Sequence, residues 1–146
     1  MLYRAGTPFS IGKSRYANSL PGSVEGETKI YVKVEPDALG FPVLAQLDTG
    51  APWTVLSPEV ARECNLGPTE GPGLRLNTRF GSIPGHLHRT TLKILADEGS
   101  PLEIDATIFV PDHWPTSQNF LGYGGALERM RFAVDPTENL FYFGQA

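Results

Sequence analysis

Hydrophobic and polar positions alternate with a period of two in several short stretches of the chain. In residues 29–35 an apolar side chain occupies every second position, and residues 104–110 and 130–135 repeat the pattern. Successive side chains of a strand point to opposite faces, so this alternation is typical of half-buried strands. Residues 41–47 are mostly apolar, which predicts a strand covered on both faces. The pattern as a whole predicts a predominantly β chain.

Turn-forming residues separate these stretches and predict two hairpins. Residues 36–40 contain Pro, Asp and Gly, and predict a turn that joins the first two strands. Two strand-like runs, residues 74–80 and 86–95, flank the segment Gly81-Ser82-Ile83-Pro84-Gly85. This arrangement predicts a long hairpin with a mobile tip at residues 81–85.

Helix signals are short, and the amino-terminal segment has no periodicity. Ser57-Pro58 predicts the start of a helix over residues 59–65, with Ser as N-cap and Pro in the first helical position. Residues 126–131 predict a second brief helix. Residues 1–27 mix Gly, Pro and Ser without a pattern, so we expect an irregular arm followed by one domain over residues 28–146.

Composition narrows the function classes. The 146 residues include 16 Gly and 13 Pro and carry a formal net charge of -4. An excess of acid disfavours a nucleic-acid partner, since phosphate binding needs clustered Lys and Arg. The chain has no apolar run long enough to span a membrane and no secretory signal, so we expect a cytoplasmic protein. Cys64 is the only cysteine and is expected to be a small buried hydrophobe.

One short motif carries candidate chemistry. Asp48-Thr49-Gly50 follows directly after the apolar run of residues 41–47. A strand would hold the Asp rigidly, and Gly lets the backbone turn sharply enough to present its N–H to the carboxylate. These are the requirements of a positioned acid or base. The tripeptide alone is a weak signal, because an Asp before Gly is common in turns.

Two segments together resemble a known family. Residues 43–51, with an apolar strand before Asp48-Thr49-Gly50 and Ala51 after it, are similar to the active-site segment of retropepsin-like, single-domain aspartic proteases. Phe120-Leu121-Gly122 resembles the family's segment of two apolar residues and Gly, which packs behind the catalytic loop. The hairpin of residues 74–95 lies where the family carries its flap. The resemblance implies a closed, barrel-like all-β fold with a flap and one short helix near the carboxyl terminus.

The resemblance also implies a mechanism. Only one Asp-Thr-Gly is present, so the family implies a homodimer in which the Asp48 carboxyls of two chains share one proton and activate water against a peptide bond. No metal or cofactor is implied. Thr49 resembles a residue that contacts the partner chain, and Gly50 one whose N–H holds the carboxylate. Ala51 and the flap residues Gly81, Ser82, Ile83, Pro84 and Gly85 are expected to bind a peptide or protein substrate.

Some features depart from the family pattern. Pro52-Trp53 follows Ala51 where a small polar or acidic residue is common, and Pro84 removes a backbone donor from the expected flap. The arm lacks a strand for an interface sheet, which favours dimer contacts through the carboxy-terminal strand. Trp53 and Trp114 are expected to pack in the core or at the dimer interface.

Alternatives remain open at this stage. His86 and His88 share a strand face, a spacing compatible with a metal, but no third ligand is nearby in the sequence and His113 lies in a separate loop. We therefore favour a strand without metal. The alternative function is a catalytically inert domain of the same fold that serves dimerisation or peptide binding. The intact Asp48-Thr49-Gly50 favours the peptidase.

Overall fold

The computed structural model describes residues 1–23, 29–67 and 71–146. Within these ranges the chain is mostly strand, with one α-helix and one short 3₁₀ helix. The strands are β1 (Tyr3–Arg4), β2 (Thr7–Pro8), β3 (Gly12–Arg15), β4 (Tyr31–Pro36), β5 (Val43–Asp48), β6 (Thr54–Val55), β7 (Gly73–Thr78), β8 (Gly81–Ile94), β9 (Glu98–Gly99), β10 (Leu102–Pro111), β11 (Asn119–Gly122), β12 (Met130–Asp135) and β13 (Leu140–Gln145). The helices are α1 (Pro58–Glu63) and the 3₁₀ helix Leu127–Arg129.

Six strands close into a barrel. Their order is β10-β6-β11-β5-β4-β8, and β8 pairs with β10 to complete the circle. Apolar side chains that alternate along the strands fill the interior; Val32, Ala45, Ile94, Ala106 and Ile108 are all almost fully buried. The prediction of an all-β, closed-barrel fold is confirmed. The antiparallel β4–β5 hairpin predicted around residues 36–40 is also present.

The β7–β8 hairpin extends β8 beyond the barrel. The carboxy-terminal part of β8 pairs with β4 and β10, whereas its first residues pair with β7. Thr78 lies opposite Gly81, so Arg79 and Phe80 form the turn. The predicted tip at residues 81–85 is therefore wrong. Close packing, and not a turn, requires glycine at position 85. A Cβ there would lie 2.4 Å from Cζ of Phe109.

Both helices are brief. α1 begins at Pro58, and the Ser57 hydroxyl accepts a hydrogen bond from the backbone N–H of Val60, as the sequence predicts. Near the carboxyl terminus the structure has only the 3₁₀ helix Leu127–Arg129, which is shorter than the predicted helix of residues 126–131. The chain becomes extended at Met130, because β12 pairs with β13 from that residue. No helix in the described part of the chain combines the length and apolarity needed to cross a membrane.

A second sheet of four strands joins the amino-terminal and carboxy-terminal segments of the chain. Its order is β12-β13-β3-β9, so β3 from the amino-terminal segment pairs with β13. The expectation of an irregular arm is wrong for residues 3–15, and residues 24–27 lie outside the described ranges. The sequence of β3 has no apolar alternation, so it does not predict a strand. β3 is a strand because it pairs with β13. The domain boundary between residues 27 and 28 stays a prediction.

Candidate active site

Asp48 ends strand β5 beside the second segment that the sequence singled out. β5 and β11 are parallel neighbours, with Leu47 opposite Leu121 and Asp48 opposite Gly122. Leu121 is fully buried behind the loop. The structure thus brings together two motifs that are far apart in the sequence. Gly122 is required here, because a Cβ would lie 2.2 Å from the carbonyl oxygen of Trp53.

The loop after β5 holds the carboxylate of Asp48. The backbone N–H of Gly50 donates to Oδ1 of Asp48 at 3.0 Å, and the N–H of Ala51 donates to the Asp48 carbonyl at 3.2 Å. Asp48 is half-buried, whereas Thr49 and Gly50 are exposed. The Thr49 hydroxyl has no hydrogen-bond partner among the residues that the structure describes. One carboxylate oxygen is therefore fixed by the loop.

Thr54 supports this loop, and the sequence analysis did not identify it. Its hydroxyl is buried, accepts from the N–H of Gly122 at 3.1 Å, and lies 3.2 Å from the carbonyl oxygen of Gly124. The backbone N–H of Thr54 also donates to Gly124. The available signal was a hydroxyl residue directly before the apolar pair Val55-Leu56. A buried hydroxyl needs a partner, and here the partner is the backbone beside Asp48.

Asn119 is a second supporting residue that the sequence analysis missed. It is buried at the start of β11. Its Oδ1 accepts from the backbone N–H of Ser57 at 2.9 Å, and its Nδ2 donates to the carbonyl of Leu44 at 3.2 Å. The amide therefore joins β11 to β5 and to the start of α1. No local pattern in the sequence predicts this connection.

A cavity of about 370 Å³ opens at Asp48. The first wall, which we call the Asp48 wall, is the loop of residues 48–52 together with β11. The second, the hairpin wall, is residues 76–80 of the β7–β8 hairpin. The cavity is lined by Lys29, Gln46, Asp48, Gly50, Ala51, Pro52, Val55, Leu76, Asn77, Thr78, Arg79, Phe80, Trp114, Thr116, Gln118 and Phe120. Asp48 is the only acidic side chain in this lining, as far as the described residues go.

Aromatic and aliphatic side chains form a continuous apolar part of the cavity. The rings of Trp114 and Phe120 meet edge to face with centroids 6.1 Å apart. Nε1 of Trp114 donates to the carbonyl of Gln118 at 3.0 Å, which fixes the indole. Val55 and Leu76 pack in the same cluster. Trp114 thus has a packing role, as expected, and also lines the cavity.

The residues predicted to bind substrate are divided between two places. Ala51 lines the cavity, but residues 81–85 lie in β8 and do not. Ile83 is buried opposite Leu76, and the Ser82 hydroxyl accepts from Nε of Arg75 at 2.9 Å. Pro84 accepts a hydrogen bond at its carbonyl from the N–H of Asp112. The cavity is instead lined by the preceding residues of the hairpin, which the sequence analysis did not name.

Other reactive side chains lie outside the cavity lining. Nδ1 of His86 lies 3.2 Å from Oδ1 of Asp112, and Arg89 pairs with Asp105. His88 is buried, and its Nε2 has no hydrogen-bond partner among the residues that the structure describes. Across the described ranges, no three His, Cys, Asp or Glu side chains are grouped so as to hold a metal ion. Burial, reinforced by the nearby charge of Asp37, raises the pKa of the Cys64 thiol.

The fold is similar to that of solved retropepsin-like structures. A retropepsin-like aspartic protease from Rickettsia conorii superposes with a TM-score of 0.59 over 90% of this chain and 98% of that chain, at 17% identity. The retroviral protease-like domain of Ddi1 from Leishmania major gives a TM-score of 0.49 over 81% and 90%, at 19% identity. The superposition on the Rickettsia conorii protein shows that the chain has the retropepsin-like fold, as its sequence motifs suggested.

Sequence comparison finds a related segment in a longer protein. DNA damage-inducible protein 1 from Cryptococcus neoformans var. neoformans is 34% identical over 77 residues. The match covers 51% of this chain and 17% of that protein. No family model matches the chain.

Proposed function

We propose that the protein is an aspartic endopeptidase that acts as a homodimer. The observation that carries this proposal is the Asp48 carboxylate, oriented by the Gly50 N–H at 3.0 Å and open to a cavity large enough for substrate side chains. The retropepsin-like fold supports the same reaction class. Each chain supplies one such carboxylate, and the hydrolysis requires both a base and an acid. The second carboxylate is the Asp48 of the partner chain.

The two carboxyls divide the work of hydrolysis. Like charges a few ångströms apart do not both ionise readily, so the pair holds one proton. The ionised carboxylate takes a proton from a bound water, and that water attacks the peptide carbonyl. The protonated carboxyl of the other chain polarises the same carbonyl by hydrogen bonding. The carboxyl that took the proton from water gives it to the amide nitrogen as the C–N bond breaks, so the pair again holds one proton and no covalent enzyme intermediate forms.

The hairpin wall acts as the flap in this proposal. Arg79 and Phe80 form its turn and line the cavity together with Asp48. An extended peptide between the two walls would be shielded from water, which strengthens the electrostatic interactions of the carboxyl pair. Trp114, Phe120 and Leu76 offer apolar surface to side chains next to the cleaved bond. The expected substrates are therefore extended peptides with apolar residues at that bond.

The first test replaces the carboxylate. Purified protein is incubated with a mixed peptide library at about pH 4 to 7, the range in which a carboxyl pair holds one proton. Asp48→Asn keeps the shape but cannot accept the proton, so cleavage should fall by roughly 10²-fold to 10⁴-fold. Asp37→Asn, at an exposed position away from the cavity, is the charge-matched control. A folded wild-type dimer that cleaves nothing would favour the inert peptide-binding alternative.

The second test concerns the number of carboxylates. Specific activity should rise with protein concentration until the dimer saturates. An excess of Asp48→Asn chains, once subunits exchange, should suppress activity by forming dimers with a single carboxylate. Full specific activity far below the measured dimer dissociation constant would contradict the homodimer. A monomeric enzyme would need a second acid from the same chain, and Asp105, Asp112 and Asp135 do not line the cavity.

A further inference from the structure

The four-stranded sheet ends in an open strand edge. β13 pairs with β12 on one side and with β3 on the other, so it has no free edge. The carboxy-terminal strand, which was expected to carry the dimer contacts, therefore offers no open edge for a second chain. In the part of the chain that the structure describes, β12 pairs only with β13. A strand of this length therefore presents a row of backbone N–H and C=O groups that another strand can bind.

The sequence of β12 is complementary to itself in one antiparallel register. In an antiparallel pair, the numbers of facing residues always add up to the same total. When Ala133 faces the Ala133 of a second copy, Arg131 of each chain therefore faces Asp135 of the other. On the other face Phe132 lies opposite Val134. Cross-strand pairs of opposite charge and aromatic–β-branched pairs both stabilise sheets. Shifting the centre to Phe132 or Val134 no longer places Arg131 opposite Asp135.

The charged groups are available for this pairing. Arg131 is exposed and forms no ion pair with any residue in the described ranges. Asp135 uses Oδ1 to accept from the N–H of Thr137 at 2.9 Å, which leaves Oδ2 for a second partner. Ala133, at the centre, is small enough for two copies to approach closely. An interface that uses the same patch on both chains has the symmetry of a twofold dimer.

The open edge is linked to the candidate active site through a short connection. β11 ends at Gly122, opposite Asp48, and residues 123–129 lead from there to the start of β12. Within this connection the N–H of Tyr123 donates to the carbonyl of Ala51 at 3.0 Å, and the Tyr123 side chain is 53% exposed. The exposed Tyr123 side chain therefore belongs to the segment that joins the Asp48 site to the open edge.

We propose that β12 pairs with the β12 of a second copy, centred on Ala133, to join two four-stranded sheets into one. The proposal rests on the proposed function for the choice of partner, since a site with one carboxylate is incomplete without a second chain. The choice of strand and register does not depend on the proposed function. It rests on the pairing of β13, which leaves β12 at the edge, and on the complementary charges of Arg131 and Asp135. Its specific consequence is that Arg131 of each chain contacts Asp135 of the other.

Charge exchange tests this register. Arg131→Glu places Glu opposite Asp135 twice in the homodimer, and Asp135→Lys places Lys opposite Arg131 twice. Each variant alone should raise the dimer dissociation constant by roughly tenfold or more. Mixing the two variants creates a heterodimer in which both pairs are again opposite in charge, so association should return towards the wild-type value. Sedimentation velocity measures all three, and circular dichroism confirms that each variant is folded.

A matched control variant shows whether the effect is specific to β12, and the possible outcomes distinguish the register from the peptidase proposal. Arg62→Glu, at an exposed position of α1, carries the same charge change and should leave association unchanged. Unchanged dimerisation of Arg131→Glu, or no recovery on mixing, would overturn the register but leave the peptidase proposal intact. A wild-type protein that cleaves peptides as a monomer would overturn both. A wild-type dimer without cleavage would overturn only the peptidase.

Discussion

The two walls of the cavity are held by different kinds of contact. The Asp48 wall is built from strands that are distant in sequence: β5 lies beside β11, and the Thr54 hydroxyl joins β6 to the backbone of Gly122. The hairpin wall has one buried anchor, Leu76, and its other contacts are local pairs, such as Arg75 with Ser82 and Thr78 with Gly81. Disturbing the first wall disturbs the barrel, whereas the second can change with little effect on the rest of the fold.

Because of this difference, the Asp48 wall is the rigid part of the site and the hairpin wall is the adaptable part. A positioned carboxylate needs a fixed environment, because small displacements reduce catalysis strongly. A wall that closes on substrate must instead move at low energetic cost, and segments with few buried contacts open most readily. Phe80, at the turn, is 51% exposed, whereas Leu121 beneath the Asp48 loop is fully buried. Mutations in the two walls should therefore separate stability from substrate binding.

Gly122→Ala should have the largest effect on stability. Its Cβ would lie 2.2 Å from the carbonyl oxygen of Trp53, so the backbone beside Asp48 must shift. We expect the free energy of unfolding to fall by roughly 3 kcal/mol, measured by urea denaturation. Gly81→Ala, directly after the hairpin wall, meets no atom within 4 Å, but its φ of +104° is unfavourable for Ala. That control should cost only about 1 kcal/mol, and equal losses would contradict the comparison.

Thr54→Val should come next. Valine keeps the shape of the side chain but leaves the N–H of Gly122 without its acceptor at 3.1 Å. A buried backbone group without a partner costs about 1 to 3 kcal/mol. Thr54→Ser retains the hydroxyl and is the control, so it should lose clearly less stability in the same denaturation experiment. A smaller loss for Val than for Ser would show that the methyl group, not the hydrogen bond, supports the loop.

The sequence predicted the Asp48 wall better than the hairpin wall for a physical reason. The apolar runs, Asp48-Thr49-Gly50 and Phe120-Leu121-Gly122 each carry a local signature, and the barrel brings them together. At the hairpin, glycine and proline pointed to a turn at residues 81–85, but Gly85 is small because Phe109 packs on it. The actual turn, Arg79-Phe80, has no turn composition. A glycine needed for close packing and one needed for a turn look alike in sequence.

Contacts between distant segments explain the remaining differences. β3 has no recognisable pattern because β13, from the opposite end of the chain, supplies its hydrogen-bonding partner. Thr54 and Asn119 are single polar residues whose partners are backbone groups on other strands. Neither the spacing nor the composition of the sequence predicts hydrogen bonds of this kind between distant segments. The same limitation hides the open edge of β12, which is visible only once the order of the sheet is known.

Phe80→Ser tests the adaptability of the hairpin wall. The side chain is 51% exposed, so stability should change by less than about 0.5 kcal/mol. Substrate would lose apolar contact, and kcat/KM should fall by roughly tenfold, mainly through a higher KM. Phe41→Ser is the matched control, since Phe41 is 52% exposed and does not line the cavity. An equal loss of activity in both variants would remove Phe80 from substrate binding.

Arg75→Lys should give the smallest effect and sharpens the comparison most directly. The guanidinium joins the two strands of the hairpin, with Nε 2.9 Å from the Ser82 hydroxyl oxygen and Nη2 3.1 Å from the Ser82 carbonyl oxygen. Lysine keeps the charge but loses this forked geometry. Because the pair is exposed, the free energy of unfolding should change by less than about 0.5 kcal/mol. Amide hydrogen exchange should nevertheless quicken by roughly twofold within residues 74–84, since weaker cross-strand contacts make local opening more frequent.

Exchange in β5 and β11 is the internal control and should stay unchanged. Faster exchange in both walls would show that the hairpin is coupled to the Asp48 loop, and the separation between a rigid wall and an adaptable one would then be wrong.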